Sequence, residues 1–212
     1  MTLEEAIAKI RPLDHNAMEI AQKRWDGIAK PLHSLGKLET LLIQIAGITG
    51  NAEVDLSRRG LIAMCADNGV VEEGVTQTGQ EVTAIVAENF LKYDTSVGVM
   101  CKQNHAEIFP VDMGMVTDTK VRTDHKIAYG TQNMTKGPAM TREQAVKGLE
   151  AGIDMVRELN DKGYRILATG EMGIGNTTTS SAVASVLLKQ PVEEMTGRGA
   201  GLTSEGLVRK IN

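Results

Sequence analysis

The 212-residue sequence is poor in aromatic residues and in cysteine, with two Phe, one Trp, three Tyr and two Cys. Cys65 and Cys101 have no CxxC spacing, so the sequence indicates neither a disulfide framework nor a zinc site, and both residues are expected to be reduced structural thiols. The core must therefore be built from Ala, Val, Ile, Leu and Met. Together with 22 Gly, this composition is typical of alternating strands and helices, in which small side chains allow close helix-on-sheet packing.

A basic segment and a long apolar run are also missing. The 23 Lys and Arg residues are scattered among 27 Asp and Glu residues, and the formal net charge is −4. Nucleic acid and anionic membranes are therefore not expected as partners. No apolar run approaches the roughly 18 residues that span a bilayer, and the N-terminus has no signal-peptide core. A cytoplasmic location is expected.

The apolar spacing predicts an α/β fold that begins with helices. Residues 3–10 and 14–28 have helical periodicity, and a third helix carries Leu38, Leu41, Leu42 and Ile45 on one face before it ends at Gly47 or Gly50. The strand candidates are the short apolar runs at 60–66, 105–114 and 164–173, and helices are predicted at 81–93, 141–163 and 177–190.

Strands that alternate with helices predict a parallel, Rossmann-like sheet flanked by helices. The change in pattern near Arg59 divides the chain into a small helical domain, residues 1–57, and an α/β domain that binds phosphate or nucleotide, residues 58–212. No repeat, low-complexity tract or flexible linker is present.

Each strand candidate ends in a carboxylate, Asp67, Asp112 or Glu171, and glycine follows two residues later. The carboxyl ends of parallel strands lie on one edge of a sheet, where such folds bind ligands. Asp-x-Gly is also ordinary turn chemistry, which is the alternative for each carboxylate taken singly. Their recurrence at equivalent points of the topology favours a ligand crevice.

The sharpest local feature is the turn GEMGIGNTTT at 170–179, between a predicted buried strand and a helix. Gly173 and Gly175 let the backbone approach a ligand, and the free N–H groups at the start of a helix attract an anion. The turn is neither a Walker A loop nor GxGxxG, because no Gly-Lys-Ser/Thr follows and Thr178 replaces the third glycine. A phosphate monoester is therefore the expected ligand, and a tight turn capped by Asn176 and Thr177 is the alternative.

A second glycine-rich segment, TGRGAGL at 196–202, leads into a helix that carries Lys210. Lys210 is placed to reach the same anion, although such a lysine is more often a solvated surface charge. His15, His33, His105 and His125 have no spacing that indicates a metal or a catalytic dyad. No cofactor or metal is expected.

Five segments together resemble the nicotinate-nucleotide:dimethylbenzimidazole phosphoribosyltransferase family of cobalamin biosynthesis. They are KPLHSLGKLE at 30–39, ADNGVVEEGVTQTGQEVT at 66–83, GTQNMTKGPAMT at 130–141, GEMGIGNTTT at 170–179 and GRGAGL at 197–202. The resemblance implies a homodimer with a parallel-sheet domain and a small helical domain. It also implies an enzyme, a pentosyltransferase, that transfers phosphoribosyl from nicotinate mononucleotide to 5,6-dimethylbenzimidazole or a related base, giving α-ribazole 5′-phosphate and nicotinate.

The resemblance also assigns roles to individual residues. It makes Gly173, Ile174, Gly175, Asn176 and Thr177 the cradle for phosphate and ribose, with Gly199 and Lys210 beside it. It places Glu171, the expected catalytic residue, near the ribose and the positive charge that develops there as the neutral nicotinate ring leaves. Thr78 and Gln80 resemble part of the base pocket, and Asp67 orients its wall.

The chain departs from the family pattern in three ways. Asn68 replaces the usual His of ADHG, and His33 replaces the usual Gly of KPxGSLG. The family's chains are longer and carry their proton acceptor in a Gly-Glu-Gly-type segment that this chain lacks, so the chain resembles a C-terminally truncated member. The alternative is a phosphate-ligand binding module, or a non-catalytic half that needs a partner polypeptide.

Overall fold

The computed structural model describes all residues from 1 to 212. The chain divides into two compact units, Met1–Arg58 and Arg59–Asn212. No helix in the structure has both the length and the apolar character that crossing a membrane requires.

The first unit contains three helices, α1 (Leu3–Ala8), α2 (His15–Asp26) and α3 (Lys37–Thr49). Asp14 caps α2 by accepting a hydrogen bond from the Ala17 N–H, and Gly50 ends α3 in the left-handed conformation, which settles the predicted boundary. Gly47 instead lies inside α3, where an added Cβ would sit 2.7 Å from the Met18 Cγ atom of α2. It therefore permits the close packing of α2 on α3.

The segment that joins α2 to α3 is fixed by a buried ion pair. Lys30 Nζ lies 2.8 Å from Glu39 Oε1, and the Leu35 N–H donates to the same oxygen. Within this segment His33 has φ = 59°, a left-handed conformation that favours glycine. The departure from the family's glycine at this position therefore has a conformational cost.

The second unit contains three strands, six α-helices and a short 3₁₀ helix at Gly69–Glu73. In chain order the strands and α-helices are β1 (Arg59–Ala66), α4 (Glu81–Lys92), α5 (Ser96–Gln103), β2 (Ala106–Gly114), α6 (Arg142–Asp161), β3 (Ile166–Met172), α7 (Asn176–Leu188), α8 (Val192–Met195) and α9 (Ser204–Ile211). All three predicted strands are present. Three helical segments were not predicted from the sequence, namely α5, α8 and the 3₁₀ helix, and none of them is longer than eight residues.

The three strands form one parallel sheet in the order β2-β1-β3, with helices around it, which confirms the predicted α/β fold. The core is divided between the two faces of the sheet. One cluster comprises Ala63, Cys65, Ala84, Ala87, Phe90, Met115 and Val121, and the other comprises Ile62, Val111, Met155, Leu159 and Tyr164. Small residues from α4 thus pack on one face, as the composition predicted.

Both cysteines are buried and free, as expected of structural thiols. Burial, reinforced by the nearby Asp112 carboxylate, raises the pKa of the Cys65 thiol to about 12. Cys65 is therefore a poor nucleophile at neutral pH.

Candidate functional site

The parallel register brings the three strand-end carboxylates to one edge of the sheet. Asp112 pairs with Cys65 across β1 and β2, and Glu171 pairs with Met64 across β1 and β3. Asp67 follows β1 directly. This arrangement is the one that the sequence pattern predicted, but the surroundings of the three groups differ.

Asp67 and Asp112 are both 0% exposed and hold backbone in place. Asp67 Oδ2 accepts a hydrogen bond from the Val116 N–H at 2.8 Å, and Asp112 Oδ1 accepts one from the Met115 N–H at 2.7 Å. Lys126 Nζ lies 3.2 Å from Asp112 Oδ2. Burial raises the pKa of Asp67, although the Thr83 hydroxyl and the Val116 N–H oppose this. The turn interpretation therefore describes these two carboxylates better than the ligand interpretation.

Glu171 is the strand-end carboxylate that remains open to solvent. Its Oε2 atom accepts a hydrogen bond from Asn176 Nδ2 at 2.6 Å. Partial loss of hydration raises the pKa of Glu171, and the Asn176 hydrogen bond acts in the opposite direction. An exposed carboxylate held at a fixed point beside the glycine loop can stabilise a positive charge that develops nearby.

The loop from Gly173 to Gly175 leads from β3 into α7 and passes very close to β1. A Cβ on Gly173 would lie 2.2 Å from the Ala66 carbonyl oxygen, so only glycine fits there. Gly175 has φ = 91° and forms the N-cap of α7 without a side-chain cap. The N–H groups of Gly175 and Thr177 donate no hydrogen bond within the chain. Together with the dipole of α7 they offer an anion-binding end.

The polar groups of Ile174 and Asn176, unlike the N–H groups of Gly175 and Thr177, form hydrogen bonds within the chain. The Ile174 N–H donates to Thr83 Oγ1 at 3.0 Å, and the Ile174 carbonyl accepts from Asn68 Nδ2 at 3.1 Å. The Asn176 N–H donates to the Gly173 carbonyl, while its side chain holds Glu171. Ile174 and Asn176 thus stabilise the loop, whereas the N–H groups of Gly175 and Thr177 donate no hydrogen bond within the chain.

Lys210 lies beside the start of α7. Only 8% of the residue is exposed, and Nζ donates to Thr177 Oγ1 at 2.8 Å and to the Gly197 carbonyl at 3.1 Å. Both acceptors are neutral, and no carboxylate forms an ion pair with Lys210. Burial lowers the pKa of Lys210. The solvated surface charge considered for this lysine is therefore wrong.

Gly199 lies next to Thr177 and Lys210. It has φ = 58°, and an added Cβ would lie 2.7 Å from Thr177 Oγ1 and 3.5 Å from Lys210 Nζ. The structure thus brings Thr177, Gly199 and Lys210 together, as the resemblance implied. We call Gly175, Thr177, Gly199 and Lys210 the anion cradle.

The segment expected to form part of the base pocket borders the same loops. Gln80 Nε2 donates to the Asn68 carbonyl at 3.0 Å, and Gln77 Nε2 donates to the Gly201 carbonyl. Thr78 is exposed, and its carbonyl accepts from the Thr76 hydroxyl. Through Gln77 the segment therefore reaches the 197–202 loop that carries Gly199. Gln77 could not be identified from the sequence, because its contact spans 124 residues of the chain.

The segment at 130–141 makes hydrogen bonds to the 3₁₀ helix that follows β1. Thr131 Oγ1 accepts from the Gly69 N–H at 3.1 Å, and Asn133 Nδ2 donates to Glu73 Oε1 at 2.6 Å. Gly69 has no room for a side chain, since an added Cβ would lie 2.5 Å from the Thr131 carbonyl oxygen. This segment thus fixes the turn after β1.

Substituting Gly175 by Val is expected to remove anion binding and to destabilise the fold by about 1–3 kcal/mol. The added Cβ would point toward Val71 Cγ2 at 2.9 Å and Asn68 Cβ at 3.1 Å, and φ = 91° is strained for a branched residue. The effect therefore comes from a displaced loop, and not from a side chain that fills the anion position. Phosphate titration and thermal unfolding of Gly175→Val check this, and full affinity in a folded variant would contradict it.

Comparison with known proteins shows that this chain is similar to phosphoribosyltransferases. A family model described as phosphoribosyltransferase matches residues 10–212. A nicotinate-nucleotide:dimethylbenzimidazole phosphoribosyltransferase of Ruminiclostridium cellulolyticum is 51% identical over 213 residues, and the enzyme of that name from Clostridium acetobutylicum is 49% identical. Each alignment covers 100% of this chain but 60% of the relative.

A solved structure is similar over the same part. The crystal structure of CobT from Thermus thermophilus superposes with a TM-score of 0.82 at 36% identity, covering 92% of this chain and 60% of that one. The chain therefore spans about 60% of the length of the relatives that it matches.

Proposed function

This chain belongs to the phosphoribosyltransferase family that includes the nicotinate-nucleotide:dimethylbenzimidazole enzymes, and we propose that the protein transfers phosphoribosyl from nicotinate mononucleotide to 5,6-dimethylbenzimidazole or a related base. The products are α-ribazole 5′-phosphate and nicotinate. The observation that carries the proposal is the buried Lys210, whose charge faces two neutral oxygens beside free helix N–H groups.

The anion cradle fits the 5′-phosphate of the mononucleotide. A phosphate there would receive hydrogen bonds from the N–H groups of Gly175 and Thr177 and would supply the negative charge that Lys210 lacks. The hydrogen bond between Asn176 and Glu171 sets Glu171 next to the same loop. With the phosphate anchored, the ribose lies toward Glu171.

In this pose the residues assist a dissociative substitution. The glycosidic bond of nicotinate mononucleotide breaks, its electron pair neutralises the pyridinium ring, and positive charge develops on the ribose. The Glu171 carboxylate stabilises that charge, and phosphate anchoring positions the anomeric carbon for attack by the base with inversion. The base then loses its ring proton. We assign Thr78 and Gln80 to the wall of the base pocket, because their segment lies between the glycine loop and the 197–202 loop.

The proton acceptor for the base is not among the strand-end carboxylates. Asp67 and Asp112 are buried and already hold backbone N–H groups, and Glu171 has the charge-stabilising role. By the family resemblance the proton acceptor lies in a Gly-Glu-Gly-type segment, which residues 1–212 do not contain. The same resemblance supports a homodimer and a cytoplasmic location, and sedimentation of the full-length protein tests the dimer.

A second candidate is favoured by the partial coverage of the relatives. Residues 1–212 hold a phosphate-binding site without an assigned proton acceptor, so the chain by itself is suited to be a binding module or a half that works with a partner polypeptide. Adding a separate polypeptide that corresponds to the C-terminal part of the relatives distinguishes a binding module from a complementing half. Restored turnover supports the complementing half.

Calorimetric titration with nicotinate mononucleotide tests the proposal on residues 1–212 directly. Saturable binding is expected for the mononucleotide and not for the matched nicotinate riboside, which lacks the phosphate. If the two ligands bind equally well, the anion cradle is not the phosphate site. If a demonstrably folded chain binds neither, the proposed binding mode is wrong.

A further inference from the structure

The peptide groups on both sides of Ile174 are held by two side chains from distant parts of the sequence. Its N–H donates to Thr83 Oγ1 at 3.0 Å, across 91 residues, and its carbonyl accepts from Asn68 Nδ2 at 3.1 Å, across 106 residues. Neither contact leaves a group free for a ligand. They fix the residue that directly precedes the anion cradle.

The side-chain amide of Asn68 makes contacts through both its nitrogen and its oxygen atom. While Nδ2 holds the Ile174 carbonyl, Oδ1 lies 3.2 Å from the hydroxyl oxygen of Thr179, in the first turn of α7. The Thr179 hydroxyl shares its one proton between Asn68 Oδ1 and the Asn176 carbonyl oxygen, which lies 2.9 Å away. The backbone carbonyl of Asn68 accepts from Gln80 Nε2. Asn68 therefore joins the end of β1 to both the glycine loop and the helix that follows it.

Thr83 is itself held rigidly. It lies on α4, is 0% exposed, and its hydroxyl also interacts with the buried Asp67 carboxylate. Asp67 in turn accepts the Val116 N–H. The Thr83 hydroxyl accepts from the Ile174 N–H, and its burial on α4 fixes the position of this acceptor.

We propose that Asn68 and Thr83 are positioning residues that lock the Ile174 peptide groups and so present the N–H groups of Gly175 and Thr177 to the substrate's phosphate. The proposal rests on the proposed function and extends it to two residues that do not themselves contact the anion. Preorganised donors of this kind lose affinity when their support is removed, even if the donors remain.

The test compares pairs of variants by titration with nicotinate mononucleotide. Thr83→Val keeps the shape but removes the hydroxyl, and we expect about a tenfold loss of affinity. Thr83→Ser keeps the hydroxyl and removes only a methyl group, and it should stay within about threefold of the unchanged chain. At Asn68, substitution by Ala should lose affinity as Thr83→Val does. Asn68→His, measured at pH 8 where imidazole is neutral and has one donor and one acceptor, should retain it.

Thermal unfolding of each variant separates positioning from stability. A merely structural role predicts that affinity stays constant in all folded variants, or that it follows the unfolding temperature, and either result would overturn the proposal. Amide hydrogen exchange at Ile174, Gly175 and Thr177 gives a readout without ligand, and faster exchange in Thr83→Val but not in Thr83→Ser is expected. If the unchanged chain does not bind the mononucleotide, the anion cradle itself fails. Intact binding in Thr83→Val would refute only the positioning role.

Discussion

Replacing Lys210 by Met is expected to weaken the binding of nicotinate mononucleotide by about a hundredfold, because it removes the buried positive charge that the proposed binding mode places opposite the phosphate. Lys210 Nζ is held 2.8 Å from Thr177 Oγ1, so the ammonium is preorganised beside the free N–H groups of α7. Methionine preserves most of the length and packing of the side chain. Calorimetric titration of the folded variant measures the loss.

The same substitution should not destabilise the free chain. Lys210 is almost fully buried and its partners are neutral oxygens, so its charge is held at a desolvation cost. The free energy of unfolding of Lys210→Met is therefore expected to equal or exceed that of the unchanged chain. Lys147→Met, which removes an exposed charge from α6, is the matched control and should leave affinity unaltered. An equal loss of affinity in both variants would attribute the effect to net charge.

The pH dependence of binding provides a separate check. Burial lowers the pKa of Lys210, so the ammonium, and with it the affinity, is lost as pH rises through that lowered pKa. In the free chain the linkage has the opposite sign, since a lysine with a lowered pKa favours the folded state at high pH and this contribution is lost as pH falls through the folded-state pKa. Lys210→Met should show neither effect.

Much of the fold could be predicted because its signals are local. The three strands are short apolar runs that end in Asp-x-Gly or Glu-x-Gly, and the cap at Thr141 set the start of α6. By contrast, α5 contains Gly98, whose Cβ position is blocked by the Tyr93 backbone at 2.7 Å. Glycine there serves a close contact and obscures the helical pattern.

The candidate site was only partly predictable. The edge position of Asp67, Asp112 and Glu171 followed from topology, but their burial did not, since it depends on contacts such as that of Asp67 with Val116, 49 residues away. The contacts of Asn68 and Thr83 with Ile174 span still longer separations. A single sequence contains no local signal for them, and only the departure from the family's histidine drew attention to position 68.

Glu171→Gln in a protein of its relatives' length is expected to lower kcat on the order of a hundredfold while the KM for nicotinate mononucleotide changes little. The substitution retains the shape and an oxygen that can accept the Asn176 Nδ2 hydrogen bond, so the geometry of the loop is preserved. It removes only the negative charge that the proposed mechanism places beside the ribose. Steady-state kinetics with both substrates measure the split between kcat and KM.

The pH profile distinguishes charge stabilisation from simple ribose binding. Partial loss of hydration raises the pKa of Glu171, so the carboxylate forms, and turnover should climb, as pH rises through that raised pKa. This rise of turnover with pH should disappear in Glu171→Gln and persist in Glu171→Asp, which keeps the charge. A carboxyl group with a raised pKa contributes stability at low pH that is lost as pH rises, so Glu171→Gln should be no less stable than the unchanged protein near neutrality. If kcat is unaltered and only KM increases, Glu171 anchors ribose hydroxyls and the charge-stabilising role is wrong.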